Sequence, residues 1–240
     1  MAAFVTGGEV YTAFSDAANA GEATLKYYEN TGTADDPSWV WTTAGTPGFN
    51  AAAADHIAAL PAGGLSGDIY TAFVETSVPG VPKMYVNNEE IDLTTSVNPD
   101  VPASADAISL VSHNNAIYLG YEDESVSGLY IREYDQAFKT LTEDGLVEAS
   151  AIDEGNAVFV SGGGDLYAVY VTDTTYVLEI KKLVDGDWTN LDDDADDNKP
   201  VAGNYGRGTL AAHWFNGSLY VFYVDSADNS GYVRYYSEDS

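Results

Sequence analysis

The 240-residue chain contains no cysteine, only two methionines and three histidines, and only 9 basic residues against 38 acidic ones. Without cysteine, neither disulfides nor thiolate metal sites can contribute to stability, and the redox compartment leaves no mark. A formal net charge of −29 repels phosphate backbones and anionic lipid surfaces, so nucleic acid is excluded as an expected partner. No apolar run approaches the ~20 residues that span a bilayer, so no membrane insertion is expected. The start, MAAFVTGGEV, has neither a basic leader nor a continuous apolar segment, so no signal peptide is expected, and an extracellular or surface role stays open. Helical periodicity is also missing: none of the segments between Gly- and Pro-containing turns repeats its apolar residues every three to four positions.

What is present is a repeat. GEVYTAF from Gly8, GDIYTAF from Gly67, NAIYLGY from Asn115, GDLYAVY from Gly164 and GSLYVFY from Gly217 share a tyrosine, spaced by 59, 48, 49 and 53 residues. Periods of this size fit propeller blades. Within each copy both alternating sets of side chains are mostly apolar, so each strand needs cover on both sides, as in sheets stacked radially. An apolar run precedes each copy: AAFVT, HIAALP, AISLVS, NAVFVS and TLAAHWF. An aromatic or β-branched run follows it: ATLKYY, KMYV, LYIREY, YVLEIKKL and YVRYY. Four repeats add a weaker fourth run, WVWTT, IDLTT, FKTLT and WTNL, and the fifth repeat has none. The expectation is an all-β, five-bladed β-propeller in one domain. Its blades are four-stranded and antiparallel, over about 1–45, 53–96, 106–143, 156–192 and 208–240, with a three-stranded last blade. The motif tyrosines are expected to be buried between blades.

Five repeats in 240 residues resemble the tachylectin-2-type lectins, and GTLAAHWFNGSLYVFYVDSADNSGYVRYY resembles a blade of the fungal fucose-binding propellers. Blade one is also similar to bacterial propeller repeats. The resemblance implies a multivalent carbohydrate-binding protein. Fucose-binding propellers carry an arginine on the second strand and a glutamate on the third. Here the second strands hold no arginine and the third strands offer only Arg132 with Glu133, Glu179 and Arg234, so those ligand residues are not carried over.

Five positions after the motif tyrosine stand Asp16, Glu75, Asp123, Thr172 and Asp225. In a propeller this places four carboxylates where the second strand turns into the third. Asp55 and Asp106 precede innermost strands, with Asp153 and Arg207 near the corresponding positions, so one acidic face is expected. Aspartate there either caps a turn by accepting backbone N–H groups or offers oxygens to sugar hydroxyls or a hard cation. Trp39 and Trp188 open outer strands and are candidates to stack on a sugar ring, with Trp41 beside the first of them. Trp214, in an innermost strand, is expected in the core. Asp192, Asp194 and Asp196 alternate as in calcium loops, but an EF-hand needs glycine at its sixth position and glutamate at its twelfth, where Asp197 and Gly203 stand. No cofactor is expected, with calcium the weak alternative. His56, His113 and His213 lie at different offsets from the tyrosine and cannot form one ring of ligands.

Repeated acidic and aromatic positions suit repeated weak sites better than one catalytic centre. The expected function is therefore a lectin-like, non-catalytic propeller that takes a carbohydrate or glycoconjugate, as a monomer. The alternatives are a glycoside-processing enzyme with Asp55 and Asp106 as its acids, or a protein-interaction or structural propeller.

Overall fold

The computed structural model describes residues 1–33, 35–49, 52–61, 68–76, 80, 82–91, 105–123, 127–135, 140–141, 145–149, 152–173, 177–191, 210–225 and 229–237. The protein is an all-β, five-bladed propeller. Blade one is the antiparallel sheet β1 (Ala2–Thr6), β2 (Glu9–Asp16), β3 (Glu22–Asn30) and β4 (Trp39–Thr43). Blade two is β5 (Ala54–Pro61), β6 (Ile69–Glu75), β7 (Pro82–Val86) and β8 (Glu89–Ile91). Blade three contains β9 (Ala105–His113), β10 (Ala116–Asp123) and β11 (Gly128–Asp135). Its outer edge is split, since β12 (Thr140–Leu141) and β13 (Gly145–Glu148) both pair with β11. Blade four is β14 (Ile152–Gly162), β15 (Asp165–Thr172), β16 (Leu178–Val184) and β17 (Asp187–Asn190). Blade five has three strands, β18 (Ala211–Phe215), β19 (Ser218–Asp225) and β20 (Ser230–Ser237). There is no α-helix among the described residues, only a 3-10 turn at Ala17–Asn19.

The hairpins form because the sequence supplies residues that tolerate the left-handed region. Gly7 and Gly8, Asn114 and Asn115, Asp185 and Gly186, and Asn216 and Gly217 all have positive φ. Two successive positive-φ residues make the tight turn whose twist matches the flanking strands.

Innermost strands stack in chain order, β1 on β5, β5 on β9, β9 on β14 and β14 on β18. The core is correspondingly divided into four inter-blade clusters. One joins Tyr167, Val169 and Val171 of blade four to Leu219, Val221 and Tyr223 of blade five. Another joins Tyr70, Ala72 and Val74 of blade two to Ile117, Leu119 and Tyr121 of blade three. In both, the side that carries the motif tyrosine meets the other side of the next blade. Two expectations need correction. Only Tyr70 and Tyr167 are fully buried, whereas Tyr11, Tyr118 and Tyr220 are half-buried. And among the described residues the joint between blades five and one is less tightly packed than the others, with Val5 and Phe215 both exposed.

Candidate functional site

Strand direction divides the predicted site residues between the two rims of the propeller. Asp16, Asp123, Thr172 and Asp225 each end the second strand of a blade, and Glu75 pairs with Ala54 at the same end of blade two. Asp55 lies one residue further along β5. The backbone ties this rim together, since the Ala54 N–H donates to the Gly21 carbonyl across blades one and two at 2.9 Å. The side chain of Asp106 and all of Asp192, Asp194, Asp196 and Arg207 lie outside the described residues.

These acids do different things. Asp16 is occupied by its own loop: it accepts from the Ala18 N–H at 3.0 Å, from Asn19 Nδ2 at 2.8 Å and from Thr24 Oγ1 at 3.3 Å. The hydrogen bond from Asn19, followed by that from the Ala18 N–H, holds its carboxyl below the usual carboxylate range, since donors aimed at the charged form favour it. It is a turn cap. Asp55 is exposed and accepts from the neighbouring His56 N–H at 2.9 Å, at a β-bulge where His56 has φ 45°. Asp123 is buried, while Glu75 and Asp225 are half-buried. No group of three or more His, Asp or Glu side chains suited to a metal occurs among the described residues.

Trp39 and Trp188 stand at the opposite rim, because they pair with Asn30 at the end of β3 and with Leu183 near the end of β16. The acids and the tryptophans therefore do not converge. Trp39 is 54% exposed and stacks on Tyr28 at 5.3 Å. Trp188 is half-buried and meets Phe159 edge-on at 6.1 Å.

Trp188 belongs to a cleft of about 440 Å³ between blades three and four, with Tyr118, Glu133, Leu166, Leu183 and Asp187 among its lining residues. Register explains the grouping. Tyr118 is directly opposite Glu133 on β10 and β11, and its hydroxyl donates to Glu133 Oε2 at 3.2 Å. Burial, then the Glu133 charge, raises the Tyr118 pKa, so the phenol remains a neutral donor. The blade is further fixed to its neighbour by His113, whose Nδ1 is 3.0 Å from Ser161 Oγ. The wall thus combines an indole, a phenol and two carboxylates around aliphatic side chains. The sequence reading found Trp188 but not Tyr118 or Asp187 as its companions, and it noted Glu133 only against another family's pattern. The signal was available: the residue opposite the motif tyrosine on the third strand is Tyr27, Val86, Glu133, Lys182 or Tyr235, and blade three alone puts a carboxylate there.

No protein family and no curated protein matches the sequence. Solved structures with similar folds include AofleA from Arthrobotrys oligospora, at TM-score 0.63 and 12% identity over 98% of this chain and 68% of that one. An exo-β-1,3-galactanase from Phanerochaete chrysosporium, solved with β-1,3-galactotriose, is similar at TM-score 0.56 and 11% identity, covering 98% of this chain and 59% of that one. An α-L-arabinofuranosidase from Clostridium thermocellum is similar at TM-score 0.53 and 12% identity, over 95% and 82%. The chain spans about three-fifths of the galactanase's length, and likeness at these identities concerns the fold.

Proposed function

We propose that the protein binds carbohydrate in the cleft between blades three and four. The observation that carries this is the pairing of Trp188 with the Tyr118–Glu133 hydrogen bond across one cleft. A sugar ring has an apolar face of C–H groups and a rim of hydroxyls. An indole takes the first, and carboxylate and phenol oxygens take the second. Glu133 and Asp187 would accept from hydroxyls and repel anionic sugars, so a neutral saccharide fits best. Similar folds in a galactanase and an arabinofuranosidase agree with carbohydrate as the ligand class, at the level of the fold.

The test is a glycan array followed by calorimetry on any hit, with Trp188→Ala and Glu133→Gln. Each substitution should weaken binding at least about tenfold, which is ~1.4 kcal/mol. Binding untouched by either would remove the cleft from consideration and leave the acidic rim as the surface to probe.

The glycoside-processing alternative takes its support from those same hydrolase folds and places Asp55 and Asp106 at the acidic rim. Its acids must stand ~5 to 9.5 Å apart around the scissile bond. Hydrolysis of the bound saccharide that is lost in Asp55→Asn or Asp106→Asn would favour this reading over simple binding.

A further inference from the structure

Where the innermost strands of blades three and four meet, a serine, a histidine and an asparagine stand in a row. Ser161 Oγ is 3.0 Å from Nδ1 of His113, and the Asn114 amide is 2.9 Å from Nε2 of the same ring. Ser161 and His113 are half-buried and Asn114 is exposed. Blade stacking does not require this set. Register puts His113 and Ser161 at the positions that Gly162 and Trp214 hold in the next joint, where glycine lies directly beneath the indole.

The row lies at the inner end of the cleft between these blades. Ser161 is directly opposite Leu166, and His113 is diagonal to Tyr118, with ring centroids 6.3 Å apart. Leu166 and Tyr118 both line the cleft. Going outward, His113, Tyr118 and Glu133 stand on the successive strands β9, β10 and β11, so two strand spacings of about 4.8 Å separate the imidazole from the carboxylate. A sugar held at Trp188 and Glu133 thus has room inward for a substituent that reaches Ser161.

Asn114 decides which nitrogen of His113 carries the proton. With its Nδ2 donating to Nε2, the proton sits on Nδ1 and is donated to Ser161. A half-turn of the exposed amide presents Oδ1 instead, which fixes the proton on Nε2 and leaves Nδ1 to accept from the Ser161 hydroxyl. That second state is a nucleophile on its base, with a third group orienting the base.

We propose that Ser161, with His113 as its base, deacylates O-acylated neutral saccharides held in the cleft, and that Asn114 is the positioning residue. The substrate class rests on the function proposed above; the activated serine does not. Nδ1 takes the hydroxyl proton as Oγ bonds to the acyl carbon, and the bond from that carbon to the sugar oxygen breaks. The imidazolium returns the proton to the departing sugar oxygen, leaving acyl-Ser161 and a free sugar hydroxyl. Water then attacks the acyl carbon and gives a proton to Nδ1, from which Ser161 recovers it, so that ester and water become acid and alcohol. The neutral Tyr118 phenol beside the imidazole is a donor for the oxyanion.

A fluorophosphonate carries no sugar and therefore tests the pair alone. Peptide mass analysis of the folded chain should show the adduct on Ser161, and His113→Gln should abolish it; a wild-type chain left unlabelled at Ser161 overturns the proposal. Acetate release from glucose pentaacetate tests the substrate class. Ser161→Ala, with its β-sheet circular dichroism retained, should lower release at least about 100-fold, and unchanged release overturns Ser161 as the nucleophile. Asn114→Ala should lower kcat with KM unchanged, and Asn114→Asp, which offers Nε2 an acceptor only, should restore it; no difference between these two variants overturns the positioning role. Labelling at Ser161 without acetate release overturns the saccharide ester as substrate. Calorimetry with an unacylated saccharide decides the function proposed above by itself, so the two readings fail separately.

Discussion

Gly162 of the fourth blade lies beneath the indole of Trp214 in the fifth, with no room for a Cβ between them. The indole also stacks on Tyr167 at 5.4 Å with the planes 16° apart. A side chain at position 162 must displace Trp214 or part the two blades. Gly162→Val should therefore cost ~1–3 kcal/mol, as overpacking does. Denaturant unfolding that leaves the midpoint unchanged would mean that blade five is not seated on blade four in this way.

The five motif tyrosines should not be equivalent in stability. Tyr167 is 1% exposed in the joint between blades four and five, so Tyr167→Ala should cost ~3–5 kcal/mol. Tyr118 opens into the cleft and is half-buried, so Tyr118→Ala should cost about 1 kcal/mol, the centre of the range for substitutions in general. Equal losses in the two variants would contradict the difference in burial. The tyrosine repeat made the blades legible because its position in the strand is constant. It left burial illegible because burial depends on the neighbouring blade: Tyr118 faces a side containing Leu166 and Trp188, whereas the ring contacts of the half-buried Tyr220 among the described residues are with Phe215 and Tyr235 of its own blade.

The same distinction separates what could and could not be read of the site. Strand direction follows from topology, so four carboxylates on one rim were readable from the spacing to the motif tyrosine. Their environments were not, since Asp16 is committed to a turn by Asn19 and the Ala18 N–H while Asp123 is buried. Trp188 was read from its place at the start of an outer strand, but its pairing with Tyr118 joins two residues of neighbouring blades that are 70 positions apart in the chain. Only the order in which blades stack brings them together.

Stability should rise with salt. With 38 acidic and 9 basic residues, self-repulsion opposes compaction and added ions screen it over the Debye length. The melting temperature in sodium chloride should climb steadily from low salt, and a flat profile would argue that the carboxylates are already compensated. Chloride is the suitable anion because sulfate also strengthens hydrophobic burial.

Asp16 should add an acid-sensitive component of opposite sign. Its native pKa is lowered, first by Asn19 and then by the Ala18 N–H. A depressed carboxylate stabilises the fold above its unfolded pKa of ~3.9, and that contribution fades as pH falls through the native value. The gap in melting temperature between the wild-type chain and Asp16→Ala should thus be widest near neutral pH and narrow below pH ~4. A gap that persists undiminished in acid would show that the carboxylate charge is not what holds the 3-10 turn.

At the alkaline end the tyrosines should govern stability, and Tyr170 gives the sharpest case. Its ring is fully buried, and its hydroxyl lies 3.0 Å from Glu148 Oε2 and 2.9 Å from Glu179 Oε2. Lys181 Nζ binds the same Glu148 oxygen at 2.9 Å. Burial, then the Glu179 and Glu148 charges, raises the Tyr170 pKa, and burial pushes Tyr11 and Tyr134 up to about 12. A group whose native pKa is raised stabilises the fold fully below its unfolded pKa, here ~10, and loses that contribution as pH climbs toward the native value. Unfolding midpoints should therefore fall between pH ~10 and ~12, with phenolate absorbance appearing together with the loss of β structure. Tyr170→Phe should cross the wild-type curve or approach it. At neutral pH the variant is less stable, because Glu148 and Glu179 lose a buried donor. Above pH ~10 the difference shrinks, because the variant has one fewer phenol to ionise on unfolding. A difference that stays constant across that range would mean that Tyr170 ionises as readily in the folded protein as in the unfolded chain.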